Sequence, residues 1–169
     1  MYYGLSNKRQ IVELAELVCN TLSYGSNKKA VHLLVETCAA ETLLGSARDN
    51  TVYGAGSSVA QVDSGTFTWL RQKYGKPGTS KYNAIYEALN IKLDRVQYKE
   101  LEYSPLLGLL FARLRYMTVP AAIPDTISER AQYWKTHYNT VEGKGTPDEY
   151  LSRCKSSGVA SVMEHCLYE

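Results

Sequence analysis

Two glutamates five positions apart, Glu36 and Glu41, lie in one helical segment and face different ways. The segment runs from Ser26 or Asn27 to Leu44. At about 100° per residue, Ala30, Val31, Leu34, Cys38 and Leu44 gather on one side, and Lys28, Lys29, His32 and Glu36 on the other. Glu41 falls among the apolar set, so one carboxylate is expected in water and the other toward the interior. Burial disfavours the charged form, and the last turn before Gly45 adds the negative end of the helix dipole. Both raise the pKa, as a general acid working near neutrality requires. Asp49 and Asp63 come later, in an irregular stretch with Gln61, and Tyr138-Asn139 ends a later helix; these polar groups are the further site candidates.

The elements that must position these residues read mostly as helices. Asn7 to Leu22 is amphipathic through Ile11, Leu14, Ala15, Leu17 and Val18, with Gly25 as its stop. From Gly45 to Asp63 the period dissolves into a stretch containing Gly54-Ala55-Gly56-Ser57-Ser58, expected as a loop with a short irregular hairpin. Ser64 is placed to cap a helix to Tyr74, and Ser80 another from Lys81 to about Leu93, with Gly75-Lys76-Pro77-Gly78 between them. Ser104-Pro105 opens an apolar helix through Leu106, Leu107, Leu109, Leu110, Phe111 and Leu114, the expected core. Thr126 begins a helix with the stripe Ile127, Ala131, Trp134 and Tyr138, and Thr146-Pro147 caps the last. No repeat or linker divides the chain, so residues 1–169 read as one mainly α domain.

With 169 residues, 44% hydrophobic and 21% charged, the chain can bury a sizeable core. A net charge of +2 is too small to argue for nucleic acid, although it favours approach to an anionic polymer such as a cell wall. No apolar run reaches membrane-span length, and Met1-Tyr2-Tyr3-Gly4 does not read as a secretory signal, so export is expected to depend on another factor. Cys19, Cys38, Cys154 and Cys166 lack metal-ligand spacing, so neither a metal nor another cofactor is expected. Cys19 and Cys38 read as buried thiols, while Cys154 and Cys166 leave a disulfide open.

Glu41-Thr42-Leu43-Leu44-Gly45, Tyr53-Gly54-Ala55-Gly56, Gln61 and Tyr138-Asn139 together resemble the lysozyme-like lytic transglycosylases, in which a helix-ending Glu-Ser/Thr precedes a glycine-rich turn and a glutamine. The longer stretches, Glu41 to Asp63 and Tyr133 to Thr146, look like a phage muralytic branch, endolysin or virion-associated. Ser58-Val59-Ala60-Gln61 stands where the family has Gly-Leu-Met-Gln. The resemblance implies a lysozyme-like fold with a cleft between the loop after Glu41 and the Tyr138 helix. It implies cleavage of the β-1,4 bond between N-acetylmuramic acid and N-acetylglucosamine, with Glu41 as acid/base and Gln61, Asp63, Tyr138 and Asn139 on the sugar. The implied partners are glycan strands and, in a virion, other virion proteins, with no nucleic acid or membrane. The implied place of action is the bacterial wall, reached from the virion or the host periplasm.

A transglycosylase needs no second carboxylate, because the substrate's N-acetyl group assists and its 6-hydroxyl closes a 1,6-anhydro ring. A hydrolase needs one to activate water or stabilise the cation, for which Asp49 and Asp63 are available. Asp49, with Thr51 two residues on, resembles the Glu, Asp, Thr arrangement of other phage lysozymes. Both routes remain open on the residues, as do a chitinase-like enzyme and a non-catalytic phage structural or wall-binding module. The structural alternatives are a loop-binding role for Gln61, core packing for Tyr138, a helix cap for Asn139 and an Arg48–Asp49 surface pair.

Overall fold

The N-terminal tyrosines are stitched to the end of the Glu41 helix. Tyr2 N–H donates to the Gly45 carbonyl at 2.9 Å, and Tyr3 is buried beneath the loop after that helix. The computed structural model describes residues 1–22, 28–50 and 55–164. Gly25, Ser26, Asn27, Thr51, Tyr53, Gly54 and Cys166, on which parts of the sequence reading rest, lie outside these. The described residues are mainly helical: α1 Arg9–Thr21, α2 Lys28–Thr42, α3 Ser64–Tyr74, α4 Ser80–Leu89, α5 Pro105–Tyr116, α6 Ile127–Trp134, α7 Pro147–Ser157 and α8 Val159–Glu164.

Local signals explain most boundaries. Ser104, Thr126 and Thr146 each accept a hydrogen bond from a backbone N–H three residues on, and Glu129 and Glu149 complete two capping boxes. Two caps differ from expectation. Asp63, not Ser64, caps α3 by accepting from Thr66 N at 2.8 Å, because a carboxylate at the extended position reaches that N–H. Helix α4 starts after Thr79 and stops at Leu89, four residues short, where Asn90 takes a left-handed conformation.

The larger difference is α2. Past its first turn it is not amphipathic: Leu33, Val35, Glu36, Thr37, Ala39 and Ala40 are buried along with the predicted apolar set. Helices α1, α5, α6, α7 and α8 all pack against it. Thr37 and the alanines are small enough to admit neighbours on every side, so the helix is enclosed. The predicted core helix α5 lies beside it, joined through Thr37 Oγ1 and Tyr116 Oη at 2.8 Å. Tyr116 in turn stacks on Tyr133 and Tyr138, with ring centroids 5.9 and 5.0 Å away. Cys19, Cys38 and Cys154 are buried free thiols, and burial pushes the thiols of Cys19 and Cys154 up to about 11 and about 12.

Beyond Trp134, α6 widens into a π-helical turn, Lys135–Asn139. Such a turn inserts a residue into the helical ladder and redirects the chain beyond it. Here it carries Tyr138 over Tyr116, while at the opposite end of α6 the predicted stripe is incomplete, because Ile127 is exposed. The turn ends at Thr140 with φ 61°, a strained angle for a β-branched residue. Lys135 Nζ holds it by donating to Asn139 Oδ1 and to the Thr140 and Gly143 carbonyls, each at 2.8 Å.

Candidate active site

Glu41 is the penultimate residue of α2, and the chain after it turns sharply. Leu43, Leu44 and Gly45 have φ of 51°, 56° and 72° in succession, a conformation costly for leucine. Thr42 stabilises the turn. Its hydroxyl lies 3.0 Å from the Cys38 carbonyl and 2.7 Å from the Val59 carbonyl, and accepts from Gly45 N at 3.1 Å. One side chain thus joins the helix end to the 58–62 turn.

Within the stretch expected to hold a short irregular hairpin, that turn closes a single antiparallel bridge. Ser57 and Val62 exchange backbone hydrogen bonds of 2.9 and 2.8 Å around Ser58-Val59-Ala60-Gln61, whose Val59 and Ala60 are buried. Gly56 is required for space and not for a special angle, since a Cβ there would lie 2.6 Å from the Gln61 carbonyl oxygen. Tyr138 Oη donates to the Ala60 carbonyl at 2.8 Å, so the π-helical turn is anchored on the same segment.

These connections create a cleft of about 490 Å³. Glu41, Asp49, Gln61, Asp63, Tyr138 and Asn139, all six candidates from the sequence, line it. The volume falls within the range of about 300–1,000 Å³ usual for ligand pockets. Glu41 is half-buried and borders the cleft. That environment raises its pKa to about 7. Loss of hydration is the dominant cause, opposed by a hydrogen bond from Trp134 Nε1 to Oε1 at 3.1 Å and by the charge of Arg153.

The other candidates are partly committed to the protein. Gln61 Nε2 donates to the Ser58 carbonyl at 2.9 Å and to Tyr3 Oη at 3.2 Å, which directs its carbonyl oxygen elsewhere. Asn139 is the converse case: its Oδ1 accepts from Lys135, leaving the amide N–H₂ as the available end. Tyr138 is half-buried, hydrogen-bonded and stacked, yet still borders the cleft. Asp49 N–H donates to Tyr3 Oη at 3.2 Å, and Asp63 is engaged as the α3 cap.

No known protein family, curated protein or solved structure matches this chain. Among the described residues, no cluster of three His, Cys, Asp or Glu side chains is placed to hold a metal, and no helix is long and apolar enough to cross a membrane.

Two expectations are overturned. Arg48 does not pair with its neighbour Asp49; it donates through Nε and Nη2 to Glu102 Oε1 at 3.2 and 3.1 Å, while Ser57 Oγ donates to Glu102 Oε2. Glu36 does not face water. It is 2% exposed, and Arg130 donates to both its oxygens at 2.7 Å, joined by Tyr150 Oη at 2.8 Å. A helical wheel rightly sets Glu36 beside Lys29 and His32, but α6 and α7 cover that face.

Sequence reasoning also missed Tyr3, Trp134 as donor to Glu41, Lys135 and Arg153. Trp134 was visible on a stripe with Tyr138, though only as packing. Tyr3 carried no signal, because its partners lie 46 and 58 positions away.

Proposed function

We propose that this chain is a peptidoglycan-cleaving glycosidase of the lysozyme-like type, a phage lytic transglycosylase in which Glu41 is the general acid and base. The observation that carries this reading is a carboxyl titrating at about 7 in a cleft where the five other candidate residues converge. A carboxyl of that pKa is largely protonated at neutrality or just below and gives up its proton readily.

Glu41 donates its proton to the glycosidic oxygen as the bond from that oxygen to the anomeric carbon breaks. The substrate's acetamido oxygen shares the developing positive charge. Glu41, now a carboxylate, takes the proton of the 6-hydroxyl as that oxygen attacks the same carbon, which closes the anhydro ring and restores the acid. The available ends of Gln61 and Asn139, one acceptor and one donor, suit the N–H and C=O of an acetamido group. Trp134 orients the Glu41 carboxyl through its indole N–H.

Asp49 gives the hydrolytic route its support, since it borders the same cleft and is half-buried. Asp63 suits that role less, being engaged at the start of α3. Mass spectrometry of digested cell wall separates the two routes. A transglycosylase releases muropeptides lighter by one water than the hydrolytic products, whereas a wall-binding module releases none. Turnover of chitin in preference to cell wall would replace peptidoglycan as the substrate.

A further inference from the structure

Glu41 borders a second hollow, of about 290 Å³, on the side of Trp134 and α7. The two spaces share Glu41, Asn139 and Arg153, so they adjoin at the acid. Both have mixed charge: the first holds Glu41, Asp49 and Asp63 with Arg48, Arg115 and Arg153, and the second Glu41 and Glu149 with Lys144 and Arg153. Glu149 keeps its charge but turns its carboxylate to the capping box, where it accepts from Thr146 N at 2.9 Å. Arg153 is held through Nη1, which donates to the Ala40 carbonyl at 2.7 Å and to the Glu41 carbonyl at 3.4 Å. Among the described residues, no carboxylate lies within ion-pairing distance of Arg153 or Lys144.

A guanidinium anchored through one nitrogen and open on its other donors is suited to a planar carboxylate, which it can grip with two parallel hydrogen bonds. We propose that the second hollow is an anion-accepting subsite in which Arg153, aided by Lys144, holds a carboxylate carried on the sugar adjoining the cleaved bond. This rests on the glycosidase reading of Glu41. It makes Arg153 a specificity determinant: a muramic acid unit brings a lactyl carboxylate, or the carboxylates of its peptide, into reach, whereas N-acetylglucosamine polymers bring none. A protonated Glu41 does not repel that anion.

Binding separates this inference from the reading beneath it. The probes are a neutral N-acetylglucosamine tetrasaccharide and an alternating tetrasaccharide with free lactyl carboxylates, titrated by calorimetry into Glu41→Gln protein so that neither is cleaved. The acidic sugar should bind roughly tenfold tighter, as expected for a charge-assisted hydrogen bond, and Arg153→Gln should abolish most of that preference. Lys144→Gln, on an exposed residue, should weaken the preference in the same direction, and added salt should reduce it. Equal affinities in the parent protein, or an Arg153→Gln loss equal for both sugars, would overturn the subsite while leaving the glycan cleft standing. Binding of neither sugar would overturn the glycosidase reading, and the subsite with it.

Discussion

Helix α2 presents two carboxylates to the same pair of helices, with opposite outcomes. Glu36 meets Arg130 of α6 and Tyr150 of α7; Glu41, five residues on, meets Trp134 of α6 and lies near Arg153 of α7. The donors are one turn apart on each helix, so the two levels are nearly repeats of one packing arrangement. What differs is the charge of the donor. At the lower level a buried guanidinium and a phenol saturate the carboxylate in an ion pair closed to solvent. At the upper level α6 offers a neutral indole, while Arg153 turns to the Ala40 carbonyl. The Glu41 carboxyl is therefore desolvated without a counter-ion in contact, and its proton is held to about pH 7. The same element holds one carboxylate in an ion pair and leaves another its proton to about pH 7, the difference on one neighbour being arginine against tryptophan.

The largest expected effect is on turnover. Glu41→Gln preserves shape and removes the transferable proton, so cell-wall solubilisation should fall by about 10²–10⁴-fold while the melting curve at neutral pH is kept or improved. Turbidity loss of purified walls measures it. Near-normal activity would remove Glu41 from the chemistry. Glu36→Gln should do the reverse, costing about 3–5 kcal/mol in denaturant unfolding because Arg130 is left buried without its partner. Turnover per folded molecule should survive. Unchanged stability would show that the ion pair is not an anchor.

Smaller effects sharpen the comparison. Trp134→Phe removes a hydrogen bond that favours the charged form, so the Glu41 midpoint should rise further above about 7 and carry the alkaline limb of activity with it. A limb that moves to lower pH would contradict the role of the indole. A further effect is on stability against pH. The folded protein keeps a proton on Glu41 that the unfolded chain releases, between the ordinary value of 4.5 and about 7. The contribution of this group to stability therefore declines as pH rises through that window and is flat above it. Glu41→Gln should lack this decline, so the stability difference between variant and parent should grow across the window in a urea series. A constant difference would mean that Glu41 titrates alike in both states.

The residues that line the cleft were easier to read from the sequence than the packing behind them. Glu41 stood out because a carboxylate on an apolar stripe is rare, and Gln61 and Tyr138 were marked by motif-like neighbours. Helix starts at Thr126 and Thr146 were equally plain, since a capping box is written within four residues. Glu36 was misread for a physical reason: a helical wheel shows which residues share a face but not which elements later cover it. Its partners lie 94 and 114 positions away. The π-helical turn was hidden in the same way, because Lys135 and the loop carbonyls that hold it produce no periodic signal. Tyr3 acts through hydrogen bonds to the loop that only the fold creates.

On the proposed function, Glu41 carries its proton at neutrality and this proton is the one transferred. Carbon-13 NMR of the labelled glutamate carboxyls, assigned by comparison with Glu41→Gln, gives its midpoint directly, and kcat/KM for wall fragments against pH gives the midpoint of the acid required by the free enzyme. The two should coincide at about 7. A Glu41 midpoint in the ordinary carboxyl range, with activity persisting well above it, would contradict the account.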